Sequence, residues 1–240
     1  MQLYFIRHAQ SANNALWDRT GESQGRSHDP ELTDLGYRQA HALAEFLRRS
    51  NPDVSIEGRD PQNGMGFGLT HLYCSLMVRA VATGSIVAEA LDLPLVAWPD
   101  LHESGGIYLD DEVTGEPIGL PGNPRSYFEA NYPGLVLPDS LDEQGWWNRP
   151  LESPEERPIR AQRFWRELRD RHGGTDDRVA VFSHGGFYNH WLVALLNMPA
   201  RQSLWFSMSN TAITRIDYGD QDTNIVYTNR ADFLPGDLVT

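Results

Sequence analysis

Two short apolar runs that each end in a histidine constrain this fold more than any other feature of the chain. Leu3-Tyr4-Phe5-Ile6 passes directly into Arg7-His8, and Val179-Ala180-Val181-Phe182 passes into Ser183-His184-Gly185-Gly186. Short apolar runs bounded by polar or small residues read as strands covered on both faces, the kind found in parallel sheets. A parallel sheet sends its strand tips to one edge, and ligands bind at that carboxyl edge. The two histidines are therefore expected close together there.

The rest of the chain supplies the helices that such a sheet needs. A first strand over 2–6 is followed by Leu32-Thr33-Asp34, which opens a helix to about residue 49 with Leu35, Ala40, Leu43, Phe46 and Leu47 on one face. A strand over 69–74, a helix over 77–91 and a short strand over 93–98 complete a second passage. Ser153-Pro154-Glu155-Glu156 has capping-box character and precedes Ala161, Phe164, Trp165 and Leu168 at helical spacing, ending before Gly173-Gly174. A strand over 178–182, a helix over 187–197 and a terminal strand pair over 212–218 and 224–228 close the chain. This alternation predicts an α/β protein, a three-layer α/β/α sandwich around a mostly parallel sheet. Residues 1–240 read as a single catalytic domain.

Between about 100 and 150 the regularity gives way to Gly, Pro, acidic and aromatic residues, with a small helix around 125–131. That is too long for an ordinary connection and reads as a lid or substrate-binding insertion. Its aromatics, Tyr108, Tyr127, Phe128, Tyr132, Trp146 and Trp147, fit equally a surface that stacks on a leaving group and a satellite core. Arg125 is the residue there singled out for recognising substrate charge.

A formal net charge of −13 over 240 residues excludes a broadly basic surface, so no nucleic acid and no anionic membrane are expected as partners. An anionic ligand would need a locally basic pocket. No run of about 18 apolar residues is present and no basic stretch with an apolar signal core leads the chain, so a cytoplasmic location is expected. The single cysteine, Cys74, leaves no internal disulfide and no thiolate cluster. No two of the eight histidines have the four-residue spacing of a helical zinc site, and neither a catalytic metal nor a cofactor is expected.

The chemistry-bearing residues form one constellation. Imidazole is a competent nucleophile near neutral pH, and the guanidinium of Arg7 could hold a phosphoryl group while His8 attacks its phosphorus. Amides of Gly185 and Gly186 at a helix N-terminus could approach an oxyanion. Cys74-Ser75-Leu76-Met77-Val78-Arg79-Ala80 places Arg79 in the first turn of a helix at a third strand end. Leu101-His102-Glu103 offers Glu103 as an acid that protonates the leaving oxygen.

With these pieces in order the sequence resembles the histidine phosphatase superfamily, over nearly its whole length. Arg7-His8-Ala9-Gln10-Ser11-Ala12-Asn13-Asn14 is similar to the family's Arg-His-Gly-Glu-Ser-x-x-Asn opening. Asp29-Pro30-Glu31-Leu32-Thr33-Asp34-Leu35-Gly36-Tyr37-Arg38-Gln39-Ala40 resembles its Asp-x-x-Leu-Thr-x-x-Gly-x-x-Gln-Ala stretch. The resemblance implies a phosphoglycerate mutase-like fold, His8 as nucleophile, Arg7, Arg79 and His184 as the phosphate pocket, Asn14 as a further phosphate contact and Glu103 as proton donor. Two departures concern backbone: Ala9 replaces the glycine after the nucleophile, and Leu76 replaces a proline. Glu103-Ser104-Gly105-Gly106-Ile107-Tyr108 lacks the Arg-His-Tyr-Gly type of sequence found in the mutases. The expectation is thus a metal-independent phosphomonoesterase that acts through a phosphohistidine on a small phosphorylated metabolite. The alternatives are mutase-type phosphoryl transfer and a non-catalytic phosphate-ligand binder, and a homo-oligomer stays open.

Overall fold

The computed structural model describes residues 1–51, 53–56, 60–199, 204–219 and 221–240. Among them, seven strands form one sheet in the order β6-β3-β2-β7-β1-β8-β9. These are β1 (Gln2–Arg7), β2 (His71–Cys74), β3 (Leu95–Ala97), β6 (Leu135–Val136), β7 (Arg178–Ser183), β8 (Ile213–Tyr218) and β9 (Thr223–Arg230), while β4 (Tyr108–Asp110) and β5 (Pro117–Gly119) make a separate hairpin. The first five in spatial order run parallel, and β8 and β9 add an antiparallel border. A mostly parallel α/β sandwich is what the alternation predicts.

Alternation of side chains along β1 divides the core. Leu3 and Phe5 face α5 (Glu156–His172) and α6 (Gly185–Leu195), where they pack with Phe164, Leu168, Phe187 and Trp191. Tyr4 and Ile6 face α2 (Asp34–Leu47) and α3 (Val78–Leu91), among Leu43, Val81 and Val87. Phe5 stacks on Trp191 with ring centroids 5.0 Å apart. Each such side chain taken from water stabilises the fold by roughly 1.5–3 kcal/mol, so both helical layers are held on the sheet by the same short strand.

Register fixes the functional edge. Leu3 pairs with Val179 and Arg7 with Ser183, while Cys74 pairs with Phe182, so three strand tips stand level. Thr33 caps α2 by accepting from the Gly36 amide, 3.0 Å away. Gly36 itself is demanded by a close approach, because a Cβ there would stand 2.1 Å from the Gln10 carbonyl oxygen. Ser153 and Glu156 make the reciprocal bonds of the predicted capping box, Ser153 N–H to Glu156 Oε2 at 2.7 Å and Glu156 N–H to Ser153 Oγ at 3.3 Å, in the turn that leads into α5.

Two regions differ from the sequence reading. α1 (Ala12–Thr20), absent from the expectation, carries no buried residue and hence no apolar stripe; Ser11 and Asn14 form its capping box and Gly21 ends it at φ 69°. The stretch from 100 to 150 is built into the body of the protein. It supplies β6 to the main sheet, and Phe128 of α4 (Arg125–Asn131) lies in the core with Leu43 and Val81. Trp147 joins Met77 and Ile107 in a satellite core, with Trp146 against it.

Candidate active site

The tips of β1, β2 and β7 surround an open cavity of about 350 Å³ lined by Arg7, His8, Asn14, Arg79, Glu103 and Gly185, together with Trp205 and Phe206. Only 3% of His8 meets solvent. Its Nδ1 lies 2.7 Å from the Ala9 carbonyl oxygen, an arrangement that assigns the proton to Nδ1 and the lone pair to Nε2. Arg79 Nε donates to that Nε2 at 3.2 Å. Burial, then the charges of Arg79 and Arg7, hold the His8 pKa well below the usual imidazole value. The ring is therefore neutral and nucleophilic near pH 7.

The backbone that carries His8 is clamped from several sides. His8 N–H donates to the Ser183 carbonyl at 2.9 Å, and Ala9 N–H to Thr83 Oγ1 at 3.0 Å. Ala9 is fully buried and its φ is not positive, so the methyl in place of a glycine hydrogen needs no strained torsion. Leu76, in place of proline, is buried in the core beside Ile6 and Cys74. Neither Ala9 nor Leu76 lines the cavity.

Two guanidiniums give the cavity its charge. Desolvation lowers the pKa of both Arg7 and Arg79, and in Arg7 the neighbouring Arg79 adds to the effect, so an entering anion would relieve both. Arg7 donates to the Met208 carbonyl, but its buried Nε has no partner. His184 is completely buried below the cavity wall with its ring 5.0 Å from that of His8. Its Nε2 meets Ser75 Oγ at 2.9 Å, whereas Nδ1 is buried and unpartnered. The unpartnered Nε of Arg7, a residue of the cavity wall, is a buried donor that acceptor oxygens of a ligand could satisfy.

Glu103 reaches the N-terminus of α6. Oε1 accepts from the amides of Ser104 at 2.7 Å and Phe187 at 2.9 Å, and Oε2 from Gly186 at 3.1 Å. The helix end expected to meet an oxyanion thus receives Glu103 itself, while Gly185 keeps its place in the cavity wall. The loop that presents Glu103 is fastened by Arg160, which donates to the carbonyls of Asp100 and His102 and pairs with Glu152, Nε to Oε1, at 2.6 Å.

Asn14 also lines the cavity. Its Oδ1 accepts from Ser11 N–H at 3.0 Å to cap α1, so its Nδ2 is the group left to turn toward a ligand. Arg125 does not join the site. It donates to the carbonyls of Leu141 at 2.8 Å and Pro138 at 2.7 Å and pairs with Glu129, which makes it a brace within the 125–141 segment. Among the aromatics of the 100–150 stretch, none lines this cavity; Trp205 and Phe206 do so instead. Asn189 of α6 pins that pair in place through both the N–H and the carbonyl of Phe206.

Sequence reasoning also missed two supporting residues. Asp29 accepts from Val78 N–H at 3.1 Å, and its Oδ1 lies 3.6 Å from Arg79 Nη1. Burial raises its pKa to about 6 against the pull of Arg79. Asn210 Nδ2 donates to the His8 carbonyl at 2.9 Å, and its Oδ1 accepts from Thr240 Oγ1 at 3.1 Å. The next residue, buried Thr211, holds φ 60°, a conformation uncommon for a β-branched side chain. Its N–H donates to the Arg7 carbonyl at 3.1 Å. Such a strained turn marks an over-determined support behind His8.

The level strand tips of this α/β sandwich thus bring a buried histidine, two arginines and a second histidine to one edge of the sheet. The chain belongs to the histidine phosphatase superfamily, branch 1, whose family model matches residues 3–58 and 119–231. A Yersinia pestis protein named "probable phosphoglycerate mutase" is 26% identical over 229 residues, which cover 91% of this chain and 85% of that one. A mutant phosphoserine phosphatase of Entamoeba histolytica, solved with phosphoserine, superposes at a TM-score of 0.61 and 18% identity over 98% of this chain and 99% of the other. A mycobacterial glucosyl-3-phosphoglycerate phosphatase, solved with VO3, matches at 0.54 and 21% over 90% of each chain. At these identities the solved structures share the fold.

Proposed function

We propose that the chain is a phosphatase of small phosphomonoesters that passes the phosphoryl group through His8. The observation that carries this reading is the neutral, buried His8, whose Nε2 faces the cavity wall shared with two desolvated arginines. In the ligand-free arrangement the Nε2 lone pair accepts from Arg79. When a phosphoryl group enters, the Arg79 guanidinium turns to its oxygens, and Arg7, His184 and Asn14 complete the pocket. The Nε2 lone pair then forms the N–P bond as the ester P–O bond breaks.

Glu103 is the one carboxylic acid among the described residues that line this cavity, and it gives its proton to the leaving oxygen. Water then gives a proton to the Glu103 carboxylate as its oxygen attacks phosphorus, the N–P bond breaks, and phosphate leaves with both His8 and the Glu103 acid restored. Trp205 and Phe206 form an aromatic wall at the mouth, suited to an apolar or ring-bearing leaving group. The whole chain acts as one catalytic unit, and the 100–150 stretch shapes that unit more than it gates it.

The test is hydrolysis of a chromogenic phosphomonoester in the presence of a chelator by the native chain and by His8→Ala. Turnover that is retained with chelator and lost in the variant supports the reading. A panel of phosphoglycerates, sugar phosphates and nucleotides then separates phosphatase from mutase. Transfer to a second position of the substrate, with no release of phosphate, would favour the mutase.

A further inference from the structure

Away from the catalytic tips, at the amino edge of the sheet, three side chains converge that the phosphoryl chemistry does not use. His71 opens β2, His172 closes α5, and Asp177 stands immediately before β7. One donor atom of each lies within 4.8 Å of the other two. His172 Nδ1 is 2.8 Å from Asp177 Oδ2, and His71 Nδ1 is 3.8 Å from Asp177 Oδ1. Donors around a tetrahedral ion, with bonds near 2.0–2.2 Å, stand roughly 3.4 Å apart. The two spacings, one to each oxygen of Asp177, lie on either side of that value, and His71 Nδ1, 2.9 Å from Thr70 Oγ1, would leave that hydroxyl to close on the ion. The His71 side chain is 42% exposed, so its ring has room to close the remaining gap and a cation has a way in.

We propose that His71, His172 and Asp177 form a binding site for one zinc-class divalent cation, with water as the fourth ligand. The donor set selects the ion: two imidazoles and one carboxylate suit zinc, cobalt, nickel or copper better than magnesium or calcium, which take oxygen ligands. The orientation of His172 agrees. It turns Nδ1 to the cluster while its Nε2 lies 3.0 Å from the Tyr73 hydroxyl in a buried contact. An outer hydrogen-bond partner of this kind fixes the tautomer of a ligating histidine and holds its ring in place.

His71 stands about a hundred residues before His172 and Asp177, which are only five apart, so the ion acts as a clip between two parts of the chain. It ties the start of β2 to the turn between α5 and β7, on the side of the sheet away from His8. This role is independent of the phosphatase reading and takes no step in that reaction.

Calorimetric titration of the chelator-stripped full chain with zinc, with cobalt(II) absorption as the geometric probe, decides the matter. The expected result is saturable binding of one equivalent, a visible cobalt band of tetrahedral type and a higher Tm with zinc. His71→Ala and Asp177→Asn should each weaken binding at least tenfold, and Tyr73→Phe should weaken it about tenfold. His41→Ala, at an exposed histidine on α2, should bind as the native chain does. Absence of saturable binding in the native chain overturns the proposal, as does undiminished binding by both His71→Ala and Asp177→Asn. In either case the cluster is a Tyr-His-Asp hydrogen-bond chain alone.

Discussion

Adding one methyl group at Gly186 tests the role of Glu103 without replacing the carboxylate itself. The φ of Gly186 is not positive, so alanine suits the backbone of α6 there. Its Cβ would stand 2.3 Å from Glu103 Oε1 and 3.0 Å from Glu103 Cδ and Ser104 Oγ. Ordinary contact begins near 3.4 Å, so the carboxylate must withdraw by about 1 Å and stretch its bonds to the Gly186 and Phe187 amides. Losing that cap costs about 1–2 kcal/mol, less a few tenths that alanine returns over glycine in the helix. A shift of about 1 Å in a reacting group lowers the rate on the order of 100-fold, or about 2.7 kcal/mol of barrier.

The loss should follow the leaving group. An alkyl phosphate, whose alkoxide must be protonated as it departs, should show the full effect. A p-nitrophenyl phosphate, whose phenolate leaves unaided, should show little of it. Single-turnover kinetics on both esters isolates the phosphorylation step, with Tm and circular dichroism as checks on folding. Equal losses on the two esters, or none on either, in a folded Gly186→Ala protein would refute Glu103 as the proton donor.

Asn210→Ala should lower kcat by roughly 10–100-fold with KM little changed, because it frees the His8 carbonyl from its 2.9 Å support; an unchanged kcat would deny Asn210 a positioning role. Arg125→Ala should leave KM unchanged and cost about 1–3 kcal/mol of stability in denaturant unfolding, since it strips the Leu141 and Pro138 carbonyls of their donor. A raised KM would restore Arg125 to the substrate site. The depressed His8 pKa predicts that the nucleophile stays neutral as pH falls through 6.5, so a pH profile of single-turnover rates should show no imidazole loss there. Asp29 has the opposite sign: its folded pKa of about 6 lies above its unfolded value of 3.8, so the folded state binds the extra proton and is favoured as pH falls. This one group should add on the order of 1 kcal/mol of stability between pH 7 and pH 5, a slope that Asp29→Asn should abolish.

The sheet and its edge were legible because buried parallel strands write themselves as apolar runs and their tips as abrupt polar residues. Arg7-His8, Arg79 and Ser183-His184 could thus be brought together from sequence. What stayed hidden depended on contacts between distant segments. α1 rests on a Ser11 and Asn14 cap and buries nothing, so no periodicity betrayed it. Asn14 had a readable place in a motif, yet its division between capping and cavity needed coordinates. Arg125 looked like a free cation because its partners are backbone carbonyls, which no side-chain pattern reveals. Trp205 and Phe206 sit in a stretch without regular structure, and their place at the cavity depends on Asn189 holding the Phe206 backbone. Asp29 did stand in a recognisable motif, and its 3.6 Å pairing with Arg79 is the signal that a search for buried carboxylates beside arginines would have found.

The central claim is that His8 carries the phosphoryl group between substrate and water. Rapid quench of the native chain with a phosphorus-32 labelled monoester, followed by peptide mapping, tests it most directly. The account predicts one label per chain on the peptide containing His8, stable to base, lost in acid and absent in His8→Ala. Base-labile label on a carboxylate or serine, or label that persists in His8→Ala, would contradict it.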